Sequence, residues 1–408
     1  MIKINYKETL NYIHSLGNFG LPAGLDRIKS ILHKLGNPQD KLKAIHIAGT
    51  NGKGSVSAML ASVFKTAGYK TGLFISPFII DFRERIQTNG EYISENDLCF
   101  YAEKVRNTGV ELTEFEFITA VAFSYFAEQK IDILICETGL GGRLDATNTL
   151  DNLVCGVITK IGLDHTAILG ETIEAITEEK CGILRDAPTI TNPYQDKKAI
   201  EVINNNTNNL IIPDLSLLEI IKTDSFGNSF IYNNERYDIS LCGEFQIDNA
   251  LTVIETVKAS GYEISYDTLY KGLKTTFFPA RMEKVSDNPL IIIDGAHNSD
   301  GAQVLAKEIK KFGGNVTAII GVMKDKNYGE VLNTILPYCK NAVAVEVMDL
   351  PRSLSAEELA KTASSCCECI PINNYTAAID RAIEISGGNP IFVFGSLYLA
   401  ADIRKIFK

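Results

Sequence analysis

LKAIHIAGTNGKGSVSAMLASVFKTAGYKTGLFISP, residues 42–77, decides the fold. It opens on an apolar run, 42–48, that reads as a buried strand. A glycine-rich turn follows, AGTNGKGS (48–55). Val56, Met59, Leu60, Val63, Phe64 and Ala67 then recur at helical spacing. A second strand, 69–75, runs up to Ser76-Pro77. A glycine turn between a strand and a helix is where backbone N–H groups and a helix N-terminus can hold phosphates. Gly49, Gly52 and Gly54 let the backbone of Thr50, Asn51 and their neighbours approach an anion. Lys53 can reach the β- and γ-phosphates of a nucleotide, and Ser55 can hold Mg²⁺. The usual pattern has four residues between the first glycine and the Gly-Lys pair; here Thr50 and Asn51 are the only two. The alternative is a glycine-rich turn with no ligand. The placement of Lys53 and Ser55 on a strand–turn–helix argues against it.

Working outward, 131–137 (IDILICE) and 153–161 (LVCGVITKI) are continuous apolar runs, suited to strands buried on both faces of a parallel sheet. A helical stretch, roughly 113–129, precedes the first of them. Strands alternating with helices predict an α/β fold around a mostly parallel sheet. Ligands of such sheets sit outside the carboxyl ends of the strands. Glu137, at one such end, is placed to bind a metal beside the phosphate loop. It opens ETGLGGRLDATN (137–148), in which Arg143 can pair with an anion; a flexible turn is the competing reading. LDHT (163–166) puts His165 at the same edge as a metal or phosphate contact, although a lone histidine is more often structural. Lys180, at the end of a helix from about 171, looks on local grounds like a solvated charge. In TEFEF (113–117), Thr113 and Glu116 have capping-box spacing. Phe115 and Phe117 are core residues or pack on an aromatic ligand, and spacing alone favours the core.

From about 186 to 245 the texture changes. An Asn-rich piece and short alternating segments around Phe226-Gly227-Asn228 and Asn233-Asn234 predict an antiparallel appendage. A helix follows at 246–258. After residue 276 a second α/β series begins: strands at 290–294, 316–321, 342–347 and 391–395, with helices at 299–312, 327–335, 355–364, 375–386 and the C-terminus. This predicts a smaller Rossmann-like domain, 279–408, behind a P-loop ATPase-like domain, 1–278, with the boundary at Phe278-Pro279. DGAHN (294–298) and FGSLY (394–398) follow strands of the second series. Asp294, His297 and Ser396 are therefore candidate ligand contacts; Asn298 and Ser396 also read as helix starts.

Composition narrows the function classes. Across 408 residues, 40 Lys+Arg against 50 Asp+Glu leave a net charge of −10, a poor general match to nucleic-acid backbones. No apolar run approaches the roughly 18 residues of a membrane helix, and the N-terminus does not read as a signal peptide. Nine cysteines scattered through apolar segments suggest free thiols in a reducing cytoplasm. Cys366, Cys367 and Cys369 have no second Cys/His pair at zinc-site spacing.

Together these segments resemble the folylpolyglutamate synthase/dihydrofolate synthase family within the Mur-ligase superfamily. The matching signatures are AGTNGKGS, SPF with ERI (76–78, 84–86), TEFEF, GLGGRLDATN, LDHT, EKCGI, GEFQIDNA (243–250), PARME (279–283), DGAHN, GVMKDK (321–326) and GSLY, in order from residue 48 to 398. The resemblance implies an ATP-dependent amide ligase that adds L-glutamate to the γ-carboxylate of a reduced folate through an acyl phosphate. It implies that Lys53 and the loop amides bind triphosphate, and that Ser55, Glu137 and His165 hold magnesium. Lys180 matches a lysine that the family carbamylates for a second magnesium. Asn249 and Arg281 become ATP contacts, Phe115, Phe117 and Arg143 folate contacts. Asp294, His297 and Ser396 match second-domain residues that close over ATP and glutamate. The implied partners are ATP, L-glutamate and a reduced folate or dihydropteroate; a monomer is expected, with no nucleic acid and no membrane.

Departures from the family pattern are Phe78 and Phe245 where many members have His, and Cys181 where Ala is common. Pro22 stands where bifunctional members often have Asp, which favours folate polyglutamylation over dihydrofolate synthesis. A cell-wall Mur ligase would carry a UDP-sugar domain ahead of the loop, and too few residues precede Gly49. A nucleotide-dependent switch would explain the loop but not DGAHN and GSLY.

Overall fold

The computed structural model describes residues 5–17, 24–224, 227–325, 327–348, 350 and 352–407. The deciding stretch forms β1 (Ala44–Ala48), the helix Lys53–Thr66 and β2 (Thr71–Phe74). β1 is buried at every position, as its unbroken apolar run requires of a strand covered on both faces. After it come β3 (Ile86–Thr88), β4 (Glu91–Tyr92), β5 (Ile133–Glu137), β6 (Leu153–Ile158), β7 (Thr189–Thr191) and β8 (Leu210–Ile211). All eight form one sheet in the order β4-β3-β2-β5-β1-β6-β7-β8. Neighbours from β2 to β8 are parallel, and β3 and β4 add an antiparallel edge.

The stretch after residue 186 corrects one expectation. Its first part is no appendage: β7 and β8 extend the parallel sheet. Strands of three and two residues are too short to display a period. The antiparallel texture belongs to β9 (Leu218–Asp224), β10 (Gly227–Tyr232) and β11 (Glu235–Ile239), a separate sheet in the order β11-β10-β9. Asn233 and Asn234 join the last two at φ 51° and 63°, the left-handed pair that a tight hairpin demands and asparagine tolerates.

The helix Glu114–Gln129 starts with the capping box that the spacing predicts: Thr113 accepts from the Glu116 amide, and Glu116 reaches back to the Thr113 amide. Its Phe117, Phe123 and Phe126 are buried in a cluster with Ile28, Ile31 and Leu32 of the helix Asp26–Lys34. Each such ring is worth about 1.5–3 kcal/mol over leaving it in water. A second cluster joins Ala48 and Ile158, the last residues of β1 and β6, to Ile176 and Cys181 of the helix Ile173–Cys181.

The C-terminal series forms its own sheet from β12 (Glu283–Asp287), β13 (Leu290–Ile293), β14 (Val316–Ile320), β15 (Cys339–Ala344), β16 (Glu368–Pro371) and β17 (Ile391–Phe394). The order is β12-β13-β17-β14-β15-β16, parallel except for β12. β15 runs three residues earlier than the apolar reading, because Lys340 and Asn341 disguise its start. β12 and β16 escaped that reading as charged edge strands. The helices Ser299–Lys310, Tyr328–Ile335, Ala356–Ala363, Tyr375–Ser386 and Leu397–Ile406 complete this part.

The chain divides into two compact units. One holds Met1–Ile220, Ser229–Ile239 and Gln246–Phe277; the other holds Ile221–Asn228, Ser240–Phe245 and Phe278–Lys408. Among the described residues no helix is long and apolar enough to cross a membrane, and no cysteine is in a disulfide.

Candidate active site

β1 pairs with β5 on one side and β6 on the other, with Ile47 opposite Glu137 and Ala48 opposite Ile158. Adjacent strands lie about 4.8 Å apart. The parallel register therefore delivers three segments to one sheet edge: the glycine turn, Glu137 with the loop after it, and residues 159–165.

Two glycines in the turn have no room for a side chain as the loop stands. A Cβ on Gly49 (φ 151°) would lie 1.9 Å from Thr159 Oγ1, and one on Gly52 (φ 92°) 2.5 Å from Asn249 Oδ1. The amides of Thr50 and Asn51 both donate to the Lys160 carbonyl at 3.0 Å, and Thr50 Oγ1 donates to Gly162 O at 3.0 Å. This corrects the expectation that these two amides face a phosphate: the first half of the turn is tied to the loop after β6. The helix N-terminus remains. The amides of Lys53, Gly54 and Ser55 form its first turn and have no partner within the helix. They stand at the positive end of its dipole.

Two lysines meet on one carbonyl here. Lys53 Nζ donates to Gly49 O at 3.0 Å and to Thr50 O at 3.3 Å. Lys180 Nζ donates to the same Gly49 O at 2.8 Å. Lys180 is only 4% exposed. Burial, and then the charge of Lys53, lower its pKa to about 7, with Asp164 and Asp145 pulling the other way. Nothing local in the helix marked this lysine; the signal lay in the family resemblance alone.

Glu137 is buried, and its Oε2 accepts from the Ser76 amide at 3.4 Å. Ser55 is buried, and its Oγ accepts from Gln246 Nε2 at 3.2 Å. Asn249 Nδ2 in turn donates to Gln246 Oε1 at 2.9 Å. His165 caps the short helix Thr166–Leu169 at φ 50°, with Nε2 3.9 Å from Asp164 Oδ1. Among the described residues no cluster of three His, Cys, Asp or Glu side chains is arranged to hold a metal. Magnesium does not need one, because it takes one or two carboxylates and completes its shell with phosphate oxygens and water. The Glu137 carboxylate and Ser55 hydroxyl are hard oxygen donors of the required kind.

The aromatic pair divides. Phe115 is half-buried and lies over Gly139, where a Cβ would be 2.5 Å from its ring. Phe117 is 2% exposed and packs edge-on against Tyr12 at 5.6 Å. It is core, so the two rings do not wall one pocket. Arg143 is likewise engaged elsewhere, in ion pairs to Glu178 (2.8 Å) and Glu179 (3.4 Å) on the helix Ile173–Cys181. The loop's organiser is Asp145, which the sequence reading passed over within its own motif. Asp145 is buried and accepts from the amides of Leu140 (2.8 Å) and Thr147 (3.0 Å) and from Thr147 Oγ1 (2.5 Å). Burial raises its pKa against those bonds. Thr147 Oγ1 also lies 2.8 Å from Nε2 of the buried His46, which ties the loop to β1.

In the second unit, Asp294 immediately follows β13. Its carboxylate accepts from the Met282 and Ala296 amides at 2.9 and 2.8 Å, and burial raises its pKa while nearby Arg281 opposes the shift. Arg281 lies over Gly295, where a Cβ would meet its Nη1 at 2.4 Å. Ala280 and Met282 flank it at φ 53° and 48°, a left-handed conformation costing about 1–2 kcal/mol each for residues with a side chain. Ala280 N donates to Glu283, which also pairs with the buried Arg404 at 2.7 Å. His297 Nδ1 lies 2.8 Å from Gly295 O. Asn298 and Ser396 are the N-caps of the helices Ser299–Lys310 and Leu397–Ile406, as the alternative readings of those two positions had it.

Comparison with known proteins places this arrangement among the Mur ligases. The Mur ligase middle domain matches residues 47–257, and the Mur ligase glutamate ligase domain matches 280–397. A Bacillus subtilis dihydrofolate synthase/folylpolyglutamate synthase is 36% identical, with 99% of each chain covered. A Lacticaseibacillus casei folylpolyglutamate synthase is 33% identical, with 98% of each covered. A Mycobacterium tuberculosis folylpolyglutamate synthase complexed with ADP and AMPPCP superposes with a TM-score of 0.88 at 28% identity, covering 99% of each chain. An Escherichia coli FolC complexed with DHPP and ADP gives 0.89 at 28%, covering 99% of this chain and 97% of that one. The chain belongs to the dihydrofolate synthase/folylpolyglutamate synthase family.

Proposed function

We propose that the chain is an ATP-dependent ligase that joins L-glutamate to the γ-carboxylate of reduced folates and folylpolyglutamates. The observation that carries this is the phosphate loop with Lys53 and Lys180 converging on Gly49, in a chain that matches folylpolyglutamate synthases along nearly its whole length. A carboxylate is a poor electrophile. Its oxygen therefore attacks the γ-phosphorus of ATP, ADP leaves, and an acyl phosphate forms. The glutamate amine then attacks the acyl carbon, the C–O bond to phosphate breaks, and an amide remains. Such a reaction asks the protein mainly for positioning and charge stabilisation.

Lys53 and the amides of Gly54 and Ser55 bind the β- and γ-phosphates. Glu137, Ser55 and His165 hold Mg²⁺, which neutralises charge on the transferring phosphoryl group when bound. Lys180, whose pKa burial lowers to about 7, gives up its proton far more readily than an ordinary lysine. The neutral amine is the form that carbamylation of this family lysine requires. Phe115 packs on the pterin ring. Asn249, Arg281 and Asp294 are assigned to ATP, and His297 and Ser396 to glutamate. The proposal takes the enzyme as a cytoplasmic monomer.

The test is ADP release by purified protein with ATP, Mg²⁺ and L-glutamate, comparing tetrahydrofolate with dihydropteroate. Release with tetrahydrofolate supports the reading, and release with neither substrate rejects it. A second reading, in which dihydropteroate is also a substrate, is favoured by the double name of the Bacillus relative. The residue that argued against it, Pro22, lies outside the described residues. Release with both substrates decides for that second reading.

A further inference from the structure

From the polar chain that runs out of the middle of β1 into the loop 137–148, we infer that His46 is a positioning residue for folate binding, anchoring the loop against which Phe115 rests. The inference rests on the reading of Phe115 as the contact of the pterin ring. His46 is fully buried in β1, opposite Cys136 of β5 and Gly156 of β6. Its Nε2 lies 2.8 Å from Thr147 Oγ1, and the Thr147 hydroxyl donates to Asp145 Oδ1 at 2.5 Å. Asp145 also accepts from the Thr147 and Leu140 amides. Gly139, next to Leu140, lies so close to Phe115 that a Cβ there would be 2.5 Å from the ring. His46, Thr147 and Asp145 are not among the residues assigned to ATP, magnesium or glutamate.

The chain of donors has one direction. Burial, and then the charge of Arg185, lower the His46 pKa to about 3, so the ring is neutral and carries one N–H. Nδ1 is buried with no hydrogen-bond partner. A buried N–H left unpaired is rarer than a buried acceptor left unpaired, which puts the proton on Nε2. Nε2–H therefore donates to Thr147 Oγ1, and the Thr147 hydroxyl donates onward to Asp145. The bond to His46 ties Thr147, and through Asp145 the Leu140 amide, to the middle of the sheet. Without it the loop keeps its internal hydrogen bonds but loses that anchor, and the surface behind Phe115 shifts. Glutamine at this position offers an N–H₂ where imidazole has Nε2, whereas asparagine reaches only as far as Nδ1. The two amides thus separate the donor from polarity alone.

The test measures ADP release by the full chain, with KM determined separately for tetrahydrofolate and for ATP. In His46→Asn and in Thr147→Val, KM for tetrahydrofolate is expected to rise roughly tenfold, as the loss of one buried hydrogen bond would give, with KM for ATP and kcat within about twofold of wild type. His46→Gln is expected to stay near wild type in all three. Joining His46→Asn to Thr147→Val is expected to add nothing, because both break the same link. Three results overturn the inference: a wild-type KM for tetrahydrofolate in both single variants, equal rises in both KM values, which mark a general packing role, or a His46→Gln variant that behaves as His46→Asn does. Should His46→Asn fail to fold, Thr147→Val and His46→Gln decide. Phe115→Ala is expected to raise KM for tetrahydrofolate as well, and a wild-type value there rejects the underlying reading of Phe115 instead.

Discussion

The two units carry parallel sheets whose carboxyl edges solve opposite electrostatic problems. At the edge of β1, β5 and β6, two lysine side chains share the Gly49 carbonyl, and one of them is buried. At the edge of β13, a buried carboxylate, Asp294, takes two backbone amides with Arg281 nearby. The first edge turns both lysines to a backbone carbonyl, with Asp145 and Asp164 near enough to oppose the fall in the Lys180 pKa. The second satisfies its carboxylate internally and spends it on holding the strained Ala280–Met282 turn. The same topology thus gathers two lysines at one edge and, at the other, a carboxylate that braces a turn.

The comparison breaks most sharply at Lys53. Lys53→Ala is expected to cut kcat/KM for ligation about a hundredfold to a thousandfold, with the circular dichroism spectrum and melting temperature unchanged. Ligation at wild-type rate would mean that the first edge does not hold the nucleotide through Lys53. Lys180 comes next. Its folded pKa of about 7 lies below the ordinary 10.5, so between those values the unfolded chain binds more protons than the folded one. The contribution of Lys180 to stability against urea should therefore rise with pH across that window, by a few kcal/mol at most, while buried thiols whose pKa is raised act in the opposite direction. Lys180→Met should lose that contribution and show a less positive slope than wild type; an unchanged slope would show that burial does not depress the pKa of this lysine.

At the second edge, Asp294→Asn presents an amide N–H₂ where two backbone N–H groups now donate. One of them loses its acceptor, at a cost of about 1–3 kcal/mol, read as a drop in melting temperature. No drop would mean that the brace is not needed. The smallest effect belongs to Arg143→Ala. Arg143 is half-exposed and paired to Glu178 and Glu179, so stability should change by no more than about 1 kcal/mol. The KM for the folate substrate should stay within twofold; a large rise in KM would return Arg143 to the binding site.

Much of the fold was legible in residues 42–77, where a strand, a glycine turn and an amphipathic helix each announce themselves through nearest neighbours. The capping box at Thr113 and Glu116 was legible for the same reason: its parts lie three residues apart. β7, β8, β12 and β16 were not, being too short or too charged to carry a pattern. At the site, glycine spacing and Lys53 declared a phosphate loop. Spacing alone left Phe115 and Phe117 as equals, and packing separated them.

By itself, then, the sequence determined the strand–turn–helix, the order of two α/β series, and the chemical types gathered near strand ends. Tertiary structure alone decided that Lys180 reaches Gly49 across 131 residues, that the Thr50 and Asn51 amides are spent on Lys160, and that Gln246 stands behind Ser55 across 191 residues. The physical reason is range. Helical and strand periodicity, caps and turns are set by residues a few positions apart. The shift of a pKa or the direction of a hydroxyl is set by whatever the fold brings within hydrogen-bonding distance.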